Sequence, residues 1–255
     1  MSGAVHQPAT RRPRMGLALA CGAVAFLILL GLGTWQVQRL HWKEGLLQTI
    51  GQRMHAPPLP LAEVEKQFAE TGDVDYVPVT VTGTFLHAGE RHFFSTWQGA
   101  SGFDVLTPLQ LADGRFVLVN RGFVPYDKKD AATRPQGQVE GVATVTGLAR
   151  NPLTQKPSRI VPDNDPAKNI FYWKDRDQMA ATAGLPAGAA VVPILIDADA
   201  SPNPGGLPIG GVTLIDLPNN HLQYAITWYG IAAGLVGVYV AWMLRWRRGV
   251  ASPRT

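Results

Sequence analysis

The sequence predicts a membrane protein of α+β class. Two terminal transmembrane helices flank a β-rich, barrel- or sandwich-like extracytoplasmic domain that carries one or two short helices. Three observations lead there. Uncharged apolar runs lie between Arg14 and Arg39 and between His221 and Arg245, each longer than the roughly 20 residues a helix needs to cross a hydrocarbon core. The stretch between them alternates apolar and polar residues in short runs broken by Gly, Pro and Asp, the period-two signature of half-buried strands. All 19 acidic residues fall between Glu44 and Asp216, so the chain divides by charge where it divides by hydropathy.

These boundaries give a basic tail at 1–14, a first span at 15–38, a domain at 39–220, a second span at 221–244 and a second basic tail at 245–255. The stretch from His41 to Asn220 holds 15 basic and 19 acidic residues, a net of −4, and the other 8 basic residues flank the spans. Short basic flanks stay cytoplasmic, whereas long domains translocate largely regardless of charge. The expected placement is therefore a two-pass protein of the bacterial inner (cell) membrane, with both termini cytoplasmic and the main domain periplasmic. The basic balance belongs to the flanks and does not indicate nucleic acid as a partner. The first run reads as a retained anchor, not a cleaved signal. Met15 to Leu32 exceeds the 7–15 apolar residues of a signal core, and Gly33-Thr34-Trp35 makes a poor cleavage context.

Within the domain, Val77 to Phe85 alternates as a strand, and Arg91–Trp97 and Phe103–Leu111 follow. Asp113-Gly114 separates Leu109-Gln110-Leu111 from Phe116-Val117-Leu118-Val119, a strong hairpin signal. Val139–Leu148 and Val191–Ile196 complete six predicted strands. Leu61–Glu70 and Asp175–Ala183 have helical spacing, whereas Asn151–Asn169 and Ala200–Gly211 are loops rich in Pro, Asn or Gly.

The lone cysteine, Cys21, sits in the first span and can form no disulfide within the chain. A thiol-based metallochaperone is excluded, as is a C-x-x-C-H haem attachment. No G-x-S-x-G, H-E-x-x-H, Walker loop or dinucleotide fingerprint occurs. The pairs Asp175/Asp177 and Asp197/Asp199 read as solvated charges. The chain is expected to lack catalytic residues and not to be an enzyme.

Two constellations remain, at the outer ends of the spans. Trp35, Arg39 and Trp42 fall at i, i+4 and i+7, on one helical face. Their bland reading is an interfacial aromatic belt with a snorkelling arginine. His221, Tyr224 and Trp228 share a face at the start of the second span, where Asn219 or Asn220 would cap the helix. For His221 the bland reading is a polar residue at the membrane surface. The sharper one is an axial ligand of haem iron, with aromatic side chains against the macrocycle. A second histidine ligand would be His41, His55, His87 or His92, and sequence does not choose among them.

At these residues the chain resembles the Surfeit locus protein 1 family of cytochrome c oxidase assembly factors. Three motifs carry the likeness: Leu32-Gly33-Thr34-Trp35-Gln36-Val37-Gln38-Arg39 with Trp42-Lys43 beyond, Val119-Asn120-Arg121-Gly122-Phe123-Val124-Pro125, and Asn219-Asn220-His221-Leu222-Gln223-Tyr224-Ala225-Ile226-Thr227-Trp228-Tyr229. The family often has Trp where this chain has Phe123. The resemblance implies assembly of the haem–copper oxidase around haem a insertion, with haem a held transiently and His221 at the position of the favoured haem ligand. It implies the oxidase core subunit as partner, with haem a synthase and membrane lipid beside it. Arg121 is expected at a loop tip after a buried strand, either bonding loop carbonyls or pairing a haem propionate or partner carboxylate, and Gly122 is expected at positive φ. Two other readings stay open: a scaffold for the core subunit that does not touch haem, and a membrane-anchored enzyme with a site assembled from distant residues.

Overall fold

The computed structural model describes residues 15–213 and 219–250. The tail at 1–14, residues 214–218 and residues 251–255 lie outside the described residues, and with them four of the eight basic residues that flank the spans, Arg11, Arg12, Arg14 and Arg254. Two compact units emerge, residues 48–215 and the pair of terminal segments 1–47 and 216–255.

The terminal unit is built on two long helices, α1 (Met15–Met54) and, at the other end of the chain, α4 (His221–Val250). Both are long and apolar enough to cross a membrane, which makes the chain a two-pass membrane protein. Helix α1 continues well past the predicted end of its span at residue 38. Charged and polar residues from Arg39 onward do not break it, because the stretch to Met54 holds no proline and only two glycines, Gly45 and Gly51. Gly22 and Gly33 leave notches on α1 that the rings of Tyr239 and Tyr229 enter; a β-carbon at either glycine would come within 2.4 or 2.8 Å of those rings. The Tyr239 hydroxyl donates to the Ala18 carbonyl at 2.8 Å, and the Tyr229 and Thr34 hydroxyls lie 3.1 Å apart. In lipid no water competes for these groups, so small residues and interhelical hydrogen bonds hold such pairs.

The second unit is a closed barrel. Strand β1 (Leu59–Pro60) leads into helix α2 (Leu61–Thr71), and then come β2 (Pro78–Phe85), β3 (Arg91–Trp97), β4 (Ala100–Leu111), β5 (Phe116–Pro125), β6 (Val142–Arg150), helix α3 (Arg176–Thr182) and β7 (Val191–Ala198). The ring runs β2-β6-β7-β5-β4 and shuts where β4 returns to β2, with Gly83 opposite Leu111 and Phe85 opposite Leu109. Closure removes the open edges that strands otherwise expose. Strand β3 pairs with the first half of β4, and β1 lies parallel to β2. The one parallel pair within the ring, β5 with β7, needs a long crossover, which the segment carrying β6 and α3 supplies.

Alternation decides what faces inward. Val79, Val81, Leu109, Val117, Val119, Ile194 and Ile196 form one core with Leu61 and Val64 of α2. The intervening Leu118 and Leu195 face the other way, onto Phe171 and onto Met179 of α3. Strand β5 is thus covered on both faces, which is why Phe116 to Val119 reads as an unbroken apolar run. Local chemistry ends the elements: Gly72 in the left-handed region closes α2 through its N–H to the Phe68 carbonyl at 2.8 Å. Asp175 opens α3 by accepting from the Gln178 N–H at 3.0 Å. At the expected hairpin, Asp113 accepts from the Arg115 N–H at 3.0 Å and Gly114 takes φ +84°.

Two expectations are corrected here. The strand does not end at Asn120-Arg121-Gly122; β5 runs through to Pro125, so Arg121 is not at a loop tip. The backbone of Ile209 pairs with Phe123 and extends the sheet past that point. Asp197 is not a solvated charge; it is buried at 3% exposure on the outer face of β7.

Candidate functional site

The two constellations expected at the span ends both lie in the helical unit. Helix α4 opens at His221, with the Tyr224 N–H reaching the Asn220 carbonyl at 3.2 Å. The His221 ring is part-buried, and its Nδ1 lies 2.7 Å from Oε1 of Gln36. A carboxamide oxygen can only accept, so Nδ1 carries the proton. In the uncharged imidazole the free lone pair is then on Nε2. Gln36 is buried at 9% exposure, one helical turn beyond the notch at Gly33.

Gln36, and not the Trp35–Arg39–Trp42 face, therefore meets His221. Trp35 and Trp42 are each 53% exposed, and the Arg39 guanidinium lies 3.8 Å over the Trp42 ring. This is an exposed stripe with a cation–π contact. On α4, Trp228 is half-buried, Tyr224 is 54% exposed, and buried Ala225 lies one turn beyond His221. The sequence reading missed Gln36. Its signal was faint: a polar side chain three residues after a glycine, on the stripe of α1 that has small residues at Gly22 and Gly33.

Arg121 belongs to the barrel unit. It points inward from β5, in phase with Val117 and Val119, and is 2% exposed. One guanidinium nitrogen donates to the Gly137 carbonyl at 2.5 Å and to Oδ1 of Asn203 at 3.1 Å, and the group lies 4.8 Å over the Phe85 ring. Glu90 approaches it at 3.8 Å and receives a two-pronged pair from buried Arg134 at 3.2 and 2.5 Å. Burial lowers the Arg121 pKa to about 10 against the pull of Glu90, which leaves the guanidinium charged at neutral pH. Burial likewise pushes the Glu90 carboxyl up, but His87 and Arg134 outweigh it and hold the carboxyl down to about 2. This is the loop-carbonyl role anticipated for Arg121, with a carboxylate from its own unit beside it. Gly122 takes φ +115°, as expected, and a β-carbon there would lie 1.8 Å from the Ile209 carbonyl. The crossing of the 209 backbone thus requires the glycine of the Asn-Arg-Gly run.

Comparison with known proteins now places the chain. A family pattern described as the SURF1 family matches residues 23–233. Surfeit locus protein 1 of Xenopus tropicalis is 40% identical over 219 residues, covering 79% of this chain and 68% of that protein. The human Surfeit locus protein 1 is 37% identical over 237 residues, covering 86% and 75%. A SURF1-like protein of Monosiga brevicollis is 39% identical over 227 residues, covering 84% and 83%. The matched span takes in the ends of both long helices and the whole barrel between them, and the chain belongs to the SURF1 family.

Proposed function

We propose that this chain is an assembly factor for haem–copper cytochrome c oxidase that assists delivery or insertion of haem a into the core subunit, with His221 as an axial ligand of the haem iron. Membership of the SURF1 family supports the assembly role. The observation that carries the haem step is the 2.7 Å contact between His221 Nδ1 and Gln36 Oε1. Histidines that ligate metals commonly hold their other ring nitrogen in such a bond, which fixes the tautomer and the ring plane. With Nδ1 engaged, Nε2 is the atom left for iron. The residues this reading assigns to the haem are the His221 imidazole, the Tyr224 and Trp228 rings on the same helix, and Trp35 and Arg39 on α1, whose face does not itself meet His221 but where a guanidinium would suit a propionate. The haem supplies iron and an apolar macrocycle, and the chain supplies a ligand, apolar surface and a cation. The partners in this reading are the oxidase core subunit, haem a synthase and membrane lipid.

Purification after co-expression in a host that makes haem a tests the ligand. Replacing His221 with Ala should abolish the haem absorption of the purified protein at unchanged membrane level, while His41→Ala keeps it. Full haem occupancy with an unaltered spectrum in His221→Ala would rule the ligand out. The exposed Trp35–Arg39–Trp42 stripe favours a second reading, a scaffold that docks the core subunit without touching haem. In that case a Trp35→Ala/Trp42→Ala variant loses co-purification of the core subunit, and no haem spectrum appears in any variant.

A further inference from the structure

A second site lies on the outside of the barrel, where nothing in the oxidase reading calls for one. Beyond β4, β5 and β7 the chain from Phe171 to Lys174 and the segment after Asn151 enclose a cleft of about 380 Å³. Its walls include the rings of Phe93, Tyr172 and Trp173, and its floor holds Asp104, Asn120 and Asp197. Ligand sites have this build: mostly apolar walls with a few converging polar groups.

The two floor carboxylates differ in one respect. Asp197 is fully provided for. Its Oδ1 accepts from Asn120 Nδ2 at 2.9 Å and Lys174 Nζ at 3.1 Å, its Oδ2 accepts from the Thr213 hydroxyl at 3.1 Å, and Arg150 stands 3.6 Å away. Asp104 is 6% exposed, and its buried Oδ1 has no hydrogen-bond partner among the described residues. The cations nearby are already committed. Arg150 is held by Asp75 at 3.2 Å and stacks at 4.3 Å on Tyr76, and Lys174 is held by Asp197. With Asp75, three carboxyl groups face two cations across the cleft, so the acids outnumber the cations by one. Burial raises the pKa of the Asp104 carboxyl and Asp197 adds to it, against Lys174 and the side chains of Ser95 and Asn120, which stand against the carboxyl while its Oδ1 stays unpaired.

An unpaired buried acceptor is costly, and groups left so usually await a partner. The missing partner must donate, and the aromatic walls favour a donor that is also a cation, since ring faces attract ammonium and guanidinium groups. Lys174 already uses one such wall, with its Nζ 5.4 Å from the Phe93 ring centre. We propose that this cleft binds an ammonium group carried on an apolar stem, with Asp104 as counter-ion and Phe93, Tyr172 and Trp173 around the stem. Such a group comes either from a free organic amine or from a lysine side chain of a partner polypeptide.

Calorimetric titration of the full chain in lipid nanodiscs, with empty nanodiscs subtracted, tests this. The probes are phenethylamine, its isosteric alcohol 2-phenylethanol, phenylacetate, and a capped lysine peptide. The amine should bind, the alcohol more weakly, and the carboxylate not at all. In Asp104→Asn, which keeps the side-chain volume, the affinity for the amine should fall about tenfold or more, as expected for losing a charge-assisted hydrogen bond. Tighter binding of the peptide than of phenethylamine assigns the site to a polypeptide, and the reverse to a free amine. Phenylacetate binding as well as the amine, or an unchanged amine affinity in Asp104→Asn, would overturn the proposal. If Asp104→Asn does not fold, the order of the three phenyl probes on the wild-type chain decides alone: only amine above alcohol above acid is compatible with an ammonium site.

Discussion

Glu90 is 5% exposed, and two guanidiniums and two imidazoles stand within 3.9 Å of its carboxylate. One of those imidazoles, His92, makes the barrel sensitive to acid. Its Nδ1 lies 2.9 Å from Asn169 Nδ2, an amide that can only donate, so the native ring is the uncharged tautomer with Nε2–H toward Glu90. Burial, seconded by Lys129, Arg134 and Arg91, lowers its pKa from 6.5 to about 4 against the attraction of Glu90. The unfolded chain therefore binds the proton first, and stability falls as pH drops from 6.5 towards 4. The full shift corresponds to roughly 3 kcal/mol. Glu90, whose pKa is lowered from 4.5 to about 2, adds a loss of the same sign in the window below 4.5. Thermal melts of the wild type should decline across the His92 window, and His92→Gln should flatten that decline. Parallel curves for the two proteins would remove His92 from the account. Little of this was legible in the chain itself. Arg121 and Gly122 stood out as a motif, but Glu90 and Arg134 did not, because nothing local marks partners 44 residues apart. Asp197 was misread for the same reason. Its donors come from Asn120, Arg150, Lys174 and Thr213, and a carboxylate two residues from another looks solvated until the sheet brings those donors in.

At the scale of elements, alternation and turn chemistry were strong guides. Strands β2 to β7 and helices α2 and α3 all fall on stretches singled out by pattern, because inward valines and leucines on a closed sheet enforce period two. What pattern could not supply was extent. Strand β1 is only two residues long, too short for any periodicity, and β5 passes through a glycine that usually ends strands because Ile209 supplies a new partner. Helix α1 outruns its apolar stretch because propensity continues where hydropathy stops. The seam between α1 and α4 also depends on single residues. Gly33 admits the Tyr229 ring, and one turn on, Gln36 reaches His221. Cysteines at Gln36 and Ala225, with Cys21 changed to Ser, should crosslink within the chain through a short bifunctional reagent. Gly33→Leu, whose side chain would occupy the space of the Tyr229 ring, should suppress that crosslink. Equal crosslinking with and without Gly33→Leu would show that the glycine notch does not set the seam. Loss of haem in Gly33→Leu alongside His221→Ala would tie the seam to the ligand.

For the whole molecule, charge and hydropathy together foretold the plan of two apolar helices around one β-rich domain, because both follow from transfer energies that need no tertiary contacts. Whether the sheet closed as a barrel or stacked as a sandwich was beyond them. Closure depends on β4 reaching back to β2 at Gly83, where a β-carbon would lie 2.3 Å from the Gln110 carbonyl, and a lone glycine in a strand does not announce that approach. The charge split predicts the orientation in the membrane. Eight basic residues flank the two spans, no acid occurs before Glu44 or after Asp216, and the intervening stretch is net −4. Basic residues resist translocation and acidic ones contribute little, so both ends should stay in the cytoplasm while the barrel crosses. An alkaline phosphatase fusion, active only outside, should be active when placed in the Ala200–Gly211 loop and inactive at the C-terminus. Replacing Arg245, Arg247 and Arg248 with neutral residues should weaken the retention of the C-terminal end and raise the activity of the C-terminal fusion. An active C-terminal fusion on the unaltered chain, with an inactive one in the loop, would invert the topology. It would also put His221 at the cytoplasmic end of its helix, against the proposal of a haem ligand at the outer end of the second span.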